Sequence, residues 1–416
     1  MLRGSNSWLT RELKLAFLGW SMRSFVLGYM SIIYGIYLSK VGLDPIMIGG
    51  VLTVASIVNT IIMALVAFLA DRHGKRRIFI TLGIVTALAP LILVFTESTF
   101  LIIAVSLTGI ATVGVGGIFG GGGGPFNIIQ EAIVAENVTP EKRNTAFSLN
   151  SFLSSISAAF GALLVGLPPI VMENFGVNEI KSFSPIFIIT SVFIILMVFA
   201  VSLIPERKVQ RRAALKKRSE KIITRYSMMQ AVDGFGTSLV IGNILAYWFF
   251  VRFGAEEAQI GLLFFGANML AAISFLVAGK IANRIGAVRT VVLTHLPANI
   301  LLLLIPLMPS FALASIVYLI KSSFDKMDIP IRSSYILGVV GEEERVFASG
   351  MTGIARKVPS SFGPATTGYL IQAASFASPF FIATILQSAN DIAFYLTFRK
   401  IKPPEEIRER HLVSDG

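Results

Sequence analysis

The sequence predicts an all-α integral membrane protein in which twelve transmembrane helices form two pseudo-symmetric bundles of six. Composition is the first of three observations behind this class, because 54% of the 416 residues are hydrophobic and only 14% are charged. The second is a series of apolar segments, most of which reach the roughly 20 residues that a helix needs to cross hydrocarbon. The third is an internal repeat that relates the second half of the chain to the first.

The twelve apolar segments follow one another with mostly short polar connections. They run from about 14 to 38, 46 to 70, 78 to 96, 100 to 136, 145 to 170, 183 to 204, 228 to 251, 259 to 282, 290 to 308, 311 to 340, 346 to 372 and 377 to 398. Backbone groups in hydrocarbon must be hydrogen bonded within the protein, and the segments do not alternate with period two, so we expect helices rather than barrel strands. The fourth and tenth are longer, and we expect them to tilt or to project into the cytoplasm.

The basic residues are distributed as expected for cytoplasmic termini. With both termini inside, Lys40, Lys181 and Arg252 are the basic residues of the outer segments. We therefore interpret the net charge of +12 mainly as a topology signal, and we expect no nucleic-acid partner. The expected location is the cell (plasma) membrane, as a multi-pass protein whose helices face the lipid bilayer.

Four regions follow from these segments. We predict an N-terminal bundle over residues 1–204, a basic cytoplasmic linker over 205–226, a C-terminal bundle over 227–400 and a cytoplasmic tail over 401–416. The linker contains nine Lys or Arg between Pro205 and Arg225, and we interpret it as a tether that is solvated or lies on the lipid surface. We expect helix one to be retained rather than cleaved as a signal peptide. The chain has no cysteine, which excludes disulfides and thiolate metal sites, and we expect no metal and no cofactor.

The internal repeat has two constant spacings. One series recurs after 212 positions (71 to 283) and covers a whole helix pair. Its first copy contains Gly42, Asp44, Ile48, Gly49, Ala67, Asp71, Arg72, Gly74 and Arg77, and its second contains Gly254, Glu256, Ile260, Gly261, Gly279, Asn283, Arg284, Gly286 and Arg289. The other series recurs after 202 positions (143 to 345). It matches Arg143, Ala146, Gly161 and Gly166 with Arg345, Ala348, Gly363 and Gly368.

Residues 67–77 resemble the loop between helices two and three of the major facilitator superfamily, whose pattern is Gly-x-x-x-Asp-Arg-x-Gly-Arg-Arg. The matching residues are Asp71, Arg72, Gly74 and Arg76, while Ala67 and Lys75 depart from the pattern. The segments at Arg143 and Arg345 resemble the loops after helices four and ten, and residues 328–335 look like a tenth-helix pattern of some prokaryotic members. The chain is similar to the prokaryotic twelve-helix type over nearly its whole length.

The loop between helices two and three is a candidate gate. A carboxylate at Asp71 can interact with the positive N-terminal end of a neighbouring helix, and Gly74 permits a tight turn. The resemblance implies a latch that holds the outward-open state, with the start of helix eleven near Val346 as acceptor. A positive-inside loop with a glycine turn is the alternative. The gating candidates are Asp71, Arg72, Gly74, Arg76, Arg77, Asn283, Arg284, Gly286, Arg143 and Arg345. Asn283 lacks the charge, so the symmetric latch should be weaker.

Charged residues at bilayer depth are candidates for coupling or substrate binding, because each costs about 2.5 to 3.5 kcal/mol on insertion scales. Four such residues lie within helix ten at positions i, i+4, i+7 and i+11, and this spacing predicts one charged face. They are Lys321, Asp325, Asp328 and Arg332. Helix eleven adds Arg356. One interpretation is a structural network of ion pairs. The other is that an aspartate carries the coupling proton while Arg356 binds substrate or modulates that proton.

Arg23 in helix one and Asp233 in helix seven occupy nearly equivalent positions of the two halves. We predict a gate or coupling pair across the cavity, and the alternative is that each charge is satisfied within its own bundle. We expect Asp391 to be interfacial and His295 to be a packed residue rather than a ligand.

Helix four contains a run of glycines that favours a thin, close-packed or partly unwound segment. The candidates are Gly120, Gly121, Gly122, Gly123 and Gly124. Unwound backbone facing a cavity can bind substrate, whereas close helix packing is the alternative.

The resemblance implies a secondary active transporter of a small organic solute that works by alternating access, and not an enzyme. We expect a monomer, with protons as the coupling ion and efflux slightly favoured. Basic residues within the helices outnumber acidic ones, so an uptake symporter for an organic anion or metabolite is the alternative. A receptor or enzyme on the same fold is the weaker hypothesis.

Overall fold

The computed structural model describes residues 9–108, 140–205, 220–340 and 345–401, together with Phe126, Ile129, Ile133 and Asn137. Within these residues the protein is helical, as the sequence predicts. Eight of the described helical segments are long and apolar enough to cross a membrane by length and composition.

The helices of the N-terminal half begin with α1, whose side chains are buried along most of its length. The described helices of this half are α1 (Arg11–Lys40), α2 (Pro45–His73), α3 (Lys75–Val94), α4 (Thr99–Leu107), α5 (Pro140–Ala162), α6 (Leu167–Phe175) and α7 (Ser184–Ser202). A 3-10 turn at Leu163–Gly166 joins α5 to α6, and a second one lies at Lys181–Phe183.

The helices of the C-terminal half follow the same order, with more interruptions. They are α8 (Glu220–Ser238), α9 (Gly242–Phe253), α10 (Glu257–Ile285), α11 (Ala287–Leu304), α12 (Phe311–Asp325), α13 (Asp328–Val339), α14 (Arg345–Ser360), α15 (Gly363–Ala373) and α16 (Ser378–Phe398). A 3-10 turn at Ile305–Leu307 extends α11.

Three predicted helices of the C-terminal half are interrupted near their middle. The seventh segment is divided into α8 and α9, the tenth into α12 and α13, and the eleventh into α14 and α15. Unwound backbone inside a membrane protein needs new hydrogen-bond partners. The hydroxyl of Thr367 supplies one, because it donates to the carbonyl oxygen of Leu239 at 2.7 Å, in the α8–α9 break.

Two loop glycines show that the sequence repeat is a structural repeat. Gly74 ends α2 with φ 93° and ψ 136°, and Gly286 ends α10 with φ 91° and ψ 153°. This left-handed region is unfavourable for residues with a Cβ atom. The equivalent turn in each half therefore depends on its glycine.

The two halves meet through glycines at one end of the molecule, near the end of α1. A Cβ on Gly49 would lie 2.4 Å from the carbonyl oxygen of Pro364, and one on Gly261 would lie 2.6 Å from that of Ala162. Gly49 and Gly261 are the repeat partners at spacing 212. The contact of α2 with α15 is thus the symmetric counterpart of the contact of α10 with α5.

The second pair of repeat glycines lies on the opposite helices of these same two contacts. A Cβ on Gly368 would lie 2.3 Å from the carbonyl oxygen of Pro45, and one on Gly166 would lie 3.0 Å from the Cβ of Ala258. Small residues allow helices to approach this closely. One glycine pair from each series of the sequence repeat therefore lies at one interface between the halves, which we call the glycine interface.

Polar contacts between the halves accompany the glycine interface. Lys40, at the end of α1, forms ion pairs with Glu179 at 2.5 Å and with Glu257 of the other half at 3.0 Å. Further along α2, Ser361 lies 3.2 Å from Ser56 and 3.3 Å from Thr60, measured between hydroxyl oxygens. These contacts close the end of the molecule at which α1 ends and α2 begins.

Replacing Gly49 with leucine should open this end, because the new side chain meets backbone rather than a flexible side chain. The neighbouring Gly50→Leu variant is the matched control, since a Cβ there meets nothing within 4 Å. The chain has no native cysteine. A Ser361→Cys label, at a position that is 2% exposed, should be modified by a maleimide faster in the Gly49→Leu background than in the Gly50→Leu background. Equal rates in the two backgrounds would contradict the interface assignment.

Candidate functional site

Six ionisable side chains meet inside the C-terminal half, and we call them the buried charge cluster. They are Asp233 of α8, His295 of α11, Asp328 and Arg332 of α13, Arg356 of α14 and Asp391 of α16. Five of them are at most 5% exposed, and the side chain of Arg356 is 11% exposed. The cluster therefore joins five helices of one half.

Arg332 lies at the centre of the cluster and contacts all three carboxylates. Its Nε donates to Asp328 Oδ2 at 2.6 Å, and its Nη2 lies 3.1 Å from Asp391 Oδ1 and 3.8 Å from Asp233 Oδ1. The guanidinium carbon lies 5.3 Å from the centre of the Phe394 ring. A planar guanidinium with several fixed donors suits such a central position.

His295 connects two of the carboxylates. Its Nδ1 lies 2.9 Å from Asp391 Oδ2, and its Nε2 lies 3.6 Å from Asp328 Oδ2. The amide of Asn299 also donates to Asp391 Oδ2, at 2.9 Å. Because His295 and Asn299 are one helical turn apart on α11, both reach the same carboxylate of α16.

Asp233 is paired with Arg356 by an ion pair and a hydrogen bond. The helices that carry these residues approach closely because residue 234 is glycine. A Cβ on Gly234 would lie 2.3 Å from the carbonyl oxygen of Arg356. The local sequence Asp-Gly therefore supplies both the carboxylate and the close approach of α14.

The charges of the cluster balance when the imidazole is protonated. Three carboxylates face two guanidinium groups, so an imidazolium at His295 brings the sum to zero. A buried ionised group that lacks a counter-charge costs several kcal/mol. Gain or loss of one proton within the cluster therefore changes its energy strongly.

A metal ion does not suit the cluster. Ligand atoms of Asp233, His295 and Asp391 lie within 4.8 Å of one another. However, the carboxylates already accept from Arg332 and Arg356, and a cation placed among them would be repelled by both guanidinium groups. The donor set fits an ion-pair network.

A pocket lies next to the cluster, within the same half, between α8, α9, α10, α11, α12 and α16. Its charged lining residues are Lys321, Asp325 and Lys326. Lys321 Nζ lies 2.6 Å from Asp325 Oδ1, and Lys326 Nζ donates to Asn268 Oδ1 at 3.1 Å. We call this site the C-half pocket.

The predicted charged face of helix ten is divided between these two sites. The prediction that helix ten is one continuous helix was wrong, because a two-residue break at Lys326 and Met327 separates α12 from α13. Lys321 and Asp325 form one pair in the C-half pocket, whereas Asp328 and Arg332 form another in the buried charge cluster.

Asp233 has its salt bridges within its own half, to Arg356 and Arg332. Arg23 is also buried, and its guanidinium carbon lies 5.8 Å from the centre of the Phe126 ring. In this structure Asp233 therefore has the arrangement of the alternative prediction, in which its charge is satisfied within its own bundle. A pair between Arg23 and Asp233 in another state stays a prediction.

The expectation that Asp391 is an interfacial residue was wrong. Asp391 is 0% exposed and accepts from three side chains, although its helix was expected to be peripheral and the residue interfacial. His295 is buried in the protein, at 5% exposure, and bridges Asp328 and Asp391 within the cluster. The signal in the sequence was the pair of polar residues one turn apart on an apolar helix, His295 and Asn299, together with a lone aspartate in another apolar segment.

Five of the ten gating candidates lie in the described part of the structure. Arg76, Arg77 and Arg284 are exposed, next to the glycine turns at Gly74 and Gly286. The side chains of Asp71, Arg72, Asn283, Arg143 and Arg345 lie outside the described part of the structure, as does the glycine run 120–124. The latch and the glycine-rich helix remain predictions.

Two related helical halves that meet at the glycine interface, one of them with a buried charge cluster, form the fold of this membrane protein. The sequence model of the Major Facilitator Superfamily matches residues 15–230 and 226–413. The chain belongs to this superfamily, and it is a secondary transporter with the predicted all-α, twelve-helix fold. It is a multi-pass integral membrane protein, and its substrate is a small molecule.

Relatives share this fold at low sequence identity. The chain is 19% identical over 399 residues to the uncharacterized membrane protein YJR124C of Saccharomyces cerevisiae, which covers 87% of this chain and 88% of the yeast protein. The crystal structure of the nucleoside transporter NupG matches with a TM-score of 0.71 and 11% identity, over 94% of this chain and all of that one. The human organic anion transporter MFSD10 matches with a TM-score of 0.66 and 15% identity, over 92% and 99% of the two chains.

A third structural match is a bacterial homologue of the human lysosomal transporter Spinster in an occupied, inward-facing conformation. Its TM-score is 0.69 at 14% identity, over 96% of this chain and 98% of that one. The assignment of this chain to the prokaryotic type stays a prediction, because the matching curated relative is a yeast protein.

Removing Asp391 should destabilise the protein strongly, because Arg332 and His295 lose their shared partner. We expect Asp391→Ala to lower the free energy of unfolding by about 3 to 5 kcal/mol, the range for a broken buried pair. Melting of the purified protein in detergent measures the effect.

The double variant Asp391→Ala, Arg332→Met should recover part of the loss, because it removes one charge of each sign. The exposed pair of Glu97 and Lys181 is the control, and Glu97→Gln should leave the melting temperature nearly unchanged. A double variant as unstable as the sum of its single changes would contradict the assigned pairing.

Proposed function

We propose that this transporter couples a small organic solute to protons, and that the buried charge cluster carries the coupling proton. The observation that supports this most is the charge sum of the cluster, which is zero when one proton is bound by His295 or by one of the three carboxylates. A proton-coupled carrier needs a group whose proton affinity changes between states. The sequence places Asp328 and Asp325 ahead of Asp233 for this role.

The position of Asp328 supports its choice over Asp325. Asp328 is buried between Arg332 and His295, and it is the first residue after the break in helix ten. Asp325 pairs with Lys321 in the C-half pocket instead. Bending at the break changes the distance from Asp328 to its partners on other helices, and with it the proton affinity of the cluster.

The proposed orientation has both termini in the cytoplasm, in the plasma membrane. On this assignment the glycine interface closes the outer side, and the structure is an inward-facing state. The latch at Asp71 then acts in the opposite, outward-facing state. We further propose a monomer that needs no cofactor, in keeping with two bundles that together form one transport unit.

The direction of transport is a separate part of the proposal. Export of a small organic solute against protons is slightly favoured, and the alternative is uptake of an organic anion or metabolite by symport. The matched nucleoside and organic anion transporters support a small organic substrate without deciding between the two. Proteoliposomes loaded with a substrate panel and given a pH gradient of either sign distinguish export from uptake.

A receptor or a membrane enzyme on this fold is the second class of function. A receptor would bind a ligand without counterflow between the two faces of a vesicle. Counterflow of any ligand of the panel would therefore exclude it.

Asp328→Asn should abolish pH-driven accumulation while sparing energy-independent exchange, because the neutral side chain cannot release a proton. The conservative change keeps the hydrogen-bonding shape next to Arg332. Transport in proteoliposomes, with and without a pH gradient, measures both activities on the same preparation.

Asp325→Asn is the matched control three residues away, and it should retain a pH-driven component. Loss of both activities in Asp328→Asn, with normal folding, would indicate a structural role. If both variants keep full pH-driven accumulation, coupling through helix ten is wrong.

A further inference from the structure

We propose that Lys357 of α14 binds the anionic group of the transported solute, at the inner end of an open helix face between the two halves. The inference rests on the proposed transport function, and it names the chemical class of the substrate as an organic anion. Lys357 is 3% exposed. It is not a member of the buried charge cluster, and it does not line the C-half pocket.

The missing counter-charge is the first argument. Within the part of the chain that the structure describes, the ammonium group of Lys357 forms no ion pair and no hydrogen bond. The other acidic and basic residues that the structure shows buried in this half have ion-pair partners. They are Asp233, Glu257, His295, Lys321, Asp328, Arg332 and Asp391. An unpaired ammonium group at bilayer depth is unfavourable, and an anionic ligand would supply the counter-charge.

The position of Lys357 between the halves is the second argument. Ser361, one turn further along the chain, donates from Oγ to the carbonyl oxygen of Lys357 at 3.1 Å, and the same Oγ lies 3.2 Å from that of Ser56 on α2. On its other side α14 packs against α8, where Gly234 meets Arg356. Successive residues of a helix are about 100° apart, so Lys357 lies on the part of α14 between these two contacts.

The open face of α14 is the third argument. Gly350, Gly353 and Lys357 follow one another at i, i+3 and i+7, so they share one face of the helix. A Cβ on either glycine meets nothing within 4 Å. The exposed apolar residues Ile354 and Val358 mark a different face. The open face extends roughly 10 Å from Gly350 to Lys357, on the side of Lys357 away from the glycine interface, and gives a small solute access to the ammonium group.

Gln230 adds a neutral polar group on the neighbouring helix. It precedes Gly234 by one turn of α8, so it lies on the face of α8 that packs against α14. Its Oε1 is buried and has no hydrogen-bond partner among the residues described. A solute with a hydrogen-bond donor would satisfy this acceptor while its anionic group meets Lys357. The two groups together favour an organic anion that carries a hydroxyl or amide over a simple inorganic anion.

The test measures the charge of the open face with one engineered thiol, because the chain has no native cysteine. Gly353→Cys places the thiol one turn from Lys357, at a position with open space. The probes are an anionic methanethiosulfonate reagent, the ethylsulfonate, and a cationic one, the ethyltrimethylammonium. The first is itself a small organic anion. We expect the ratio of anionic to cationic reaction rates to fall about tenfold in the Lys357→Gln background, because a positive charge is removed at short range.

Gly50→Cys on α2 is the matched control, since a Cβ there also meets nothing within 4 Å. Its rate ratio should be the same with Lys357 and with Lys357→Gln. The Lys357→Arg variant should keep the preference for the anionic reagent at Gly353→Cys. An unchanged ratio in the Lys357→Gln background would overturn the proposal.

The stability of Lys357→Gln separates anion binding from a structural role. We expect the melting temperature of the purified protein in detergent to be unchanged or raised, because the variant removes a buried charge and leaves no partner unpaired. A clear decrease would show that the ammonium group stabilises the fold, and would contradict the proposal.

Lipid composition distinguishes a solute from an anionic lipid headgroup, which offers the same charge. Labelling of Gly353→Cys is repeated in nanodiscs of phosphatidylcholine alone and in nanodiscs that also contain phosphatidylglycerol. The preference for the anionic reagent should persist in both. Its loss in the presence of phosphatidylglycerol would assign Lys357 to a lipid headgroup and overturn the assignment to the solute.

The outcome is independent of proton coupling, because labelling needs neither a gradient nor transport. A Lys357-dependent anion preference without pH-driven accumulation would refute the coupling proposal and leave this one intact. Conversely, pH-driven transport of only the uncharged members of the substrate panel would overturn the assignment of Lys357 and leave the coupling proposal intact.

Discussion

Charge at bilayer depth is the constraint on which the C-terminal half depends. An ionised side chain there costs about 2.5 to 3.5 kcal/mol on insertion scales unless neighbours compensate it. Arg332 meets this constraint by contacting three carboxylates, of which Arg356 contacts one, Asp233, and His295 contacts the other two. Because the six side chains come from five helices, neutralising the charge and assembling the half are one process. A proton added to or removed from this network acts on the packing of the whole half.

The two halves share a backbone plan and differ in how their interiors are held. Gly74 and Gly286 form equivalent turns, and the repeat glycines form equivalent helix contacts. In the described part of the N-terminal half, however, neutral hydroxyl pairs join helices, as between Tyr29 and Thr190 at 2.8 Å. Such pairs do not change with pH in the physiological range. Within the described residues, the cluster of buried ionisable side chains therefore belongs to the C-terminal half, whereas the glycine turns and glycine contacts are common to both halves.

The sequence predicted what depends on composition and repetition. Counts and spacings in the sequence predict the twelve segments, the two halves and the pairing of Gly49 with Gly261. In the structure, the two paired glycines lie at equivalent helix contacts. It did not predict the break after Asp325, because a turn of two residues leaves the apolar pattern of a membrane helix unchanged. It misplaced Asp391 for a related reason. Lipid and protein interior are equally apolar, so the hydrophobic pattern of a membrane helix does not show which of its faces points into the protein. That face depends on the neighbouring helices.

The three helix breaks separate α8, α13 and α14, which carry charged residues of the cluster, from α9, α12 and α15. On one side, α8, α13 and α14 carry Asp233, Asp328, Arg332 and Arg356 and are tied together by ion pairs. On the other, α9 and α15 carry the contacts to the N-terminal half, where Gly35 approaches Asn243 and Gly49 approaches Pro364. A glycine contact has little side-chain surface to hold it once the backbones separate, so it favours the closed state only at short range. The contacts to the N-terminal half and the ion pairs of the cluster are thus carried by different half-helices. Asp328 is the member of the cluster that lies next to such a break, because it begins α13 directly after Lys326 and Met327.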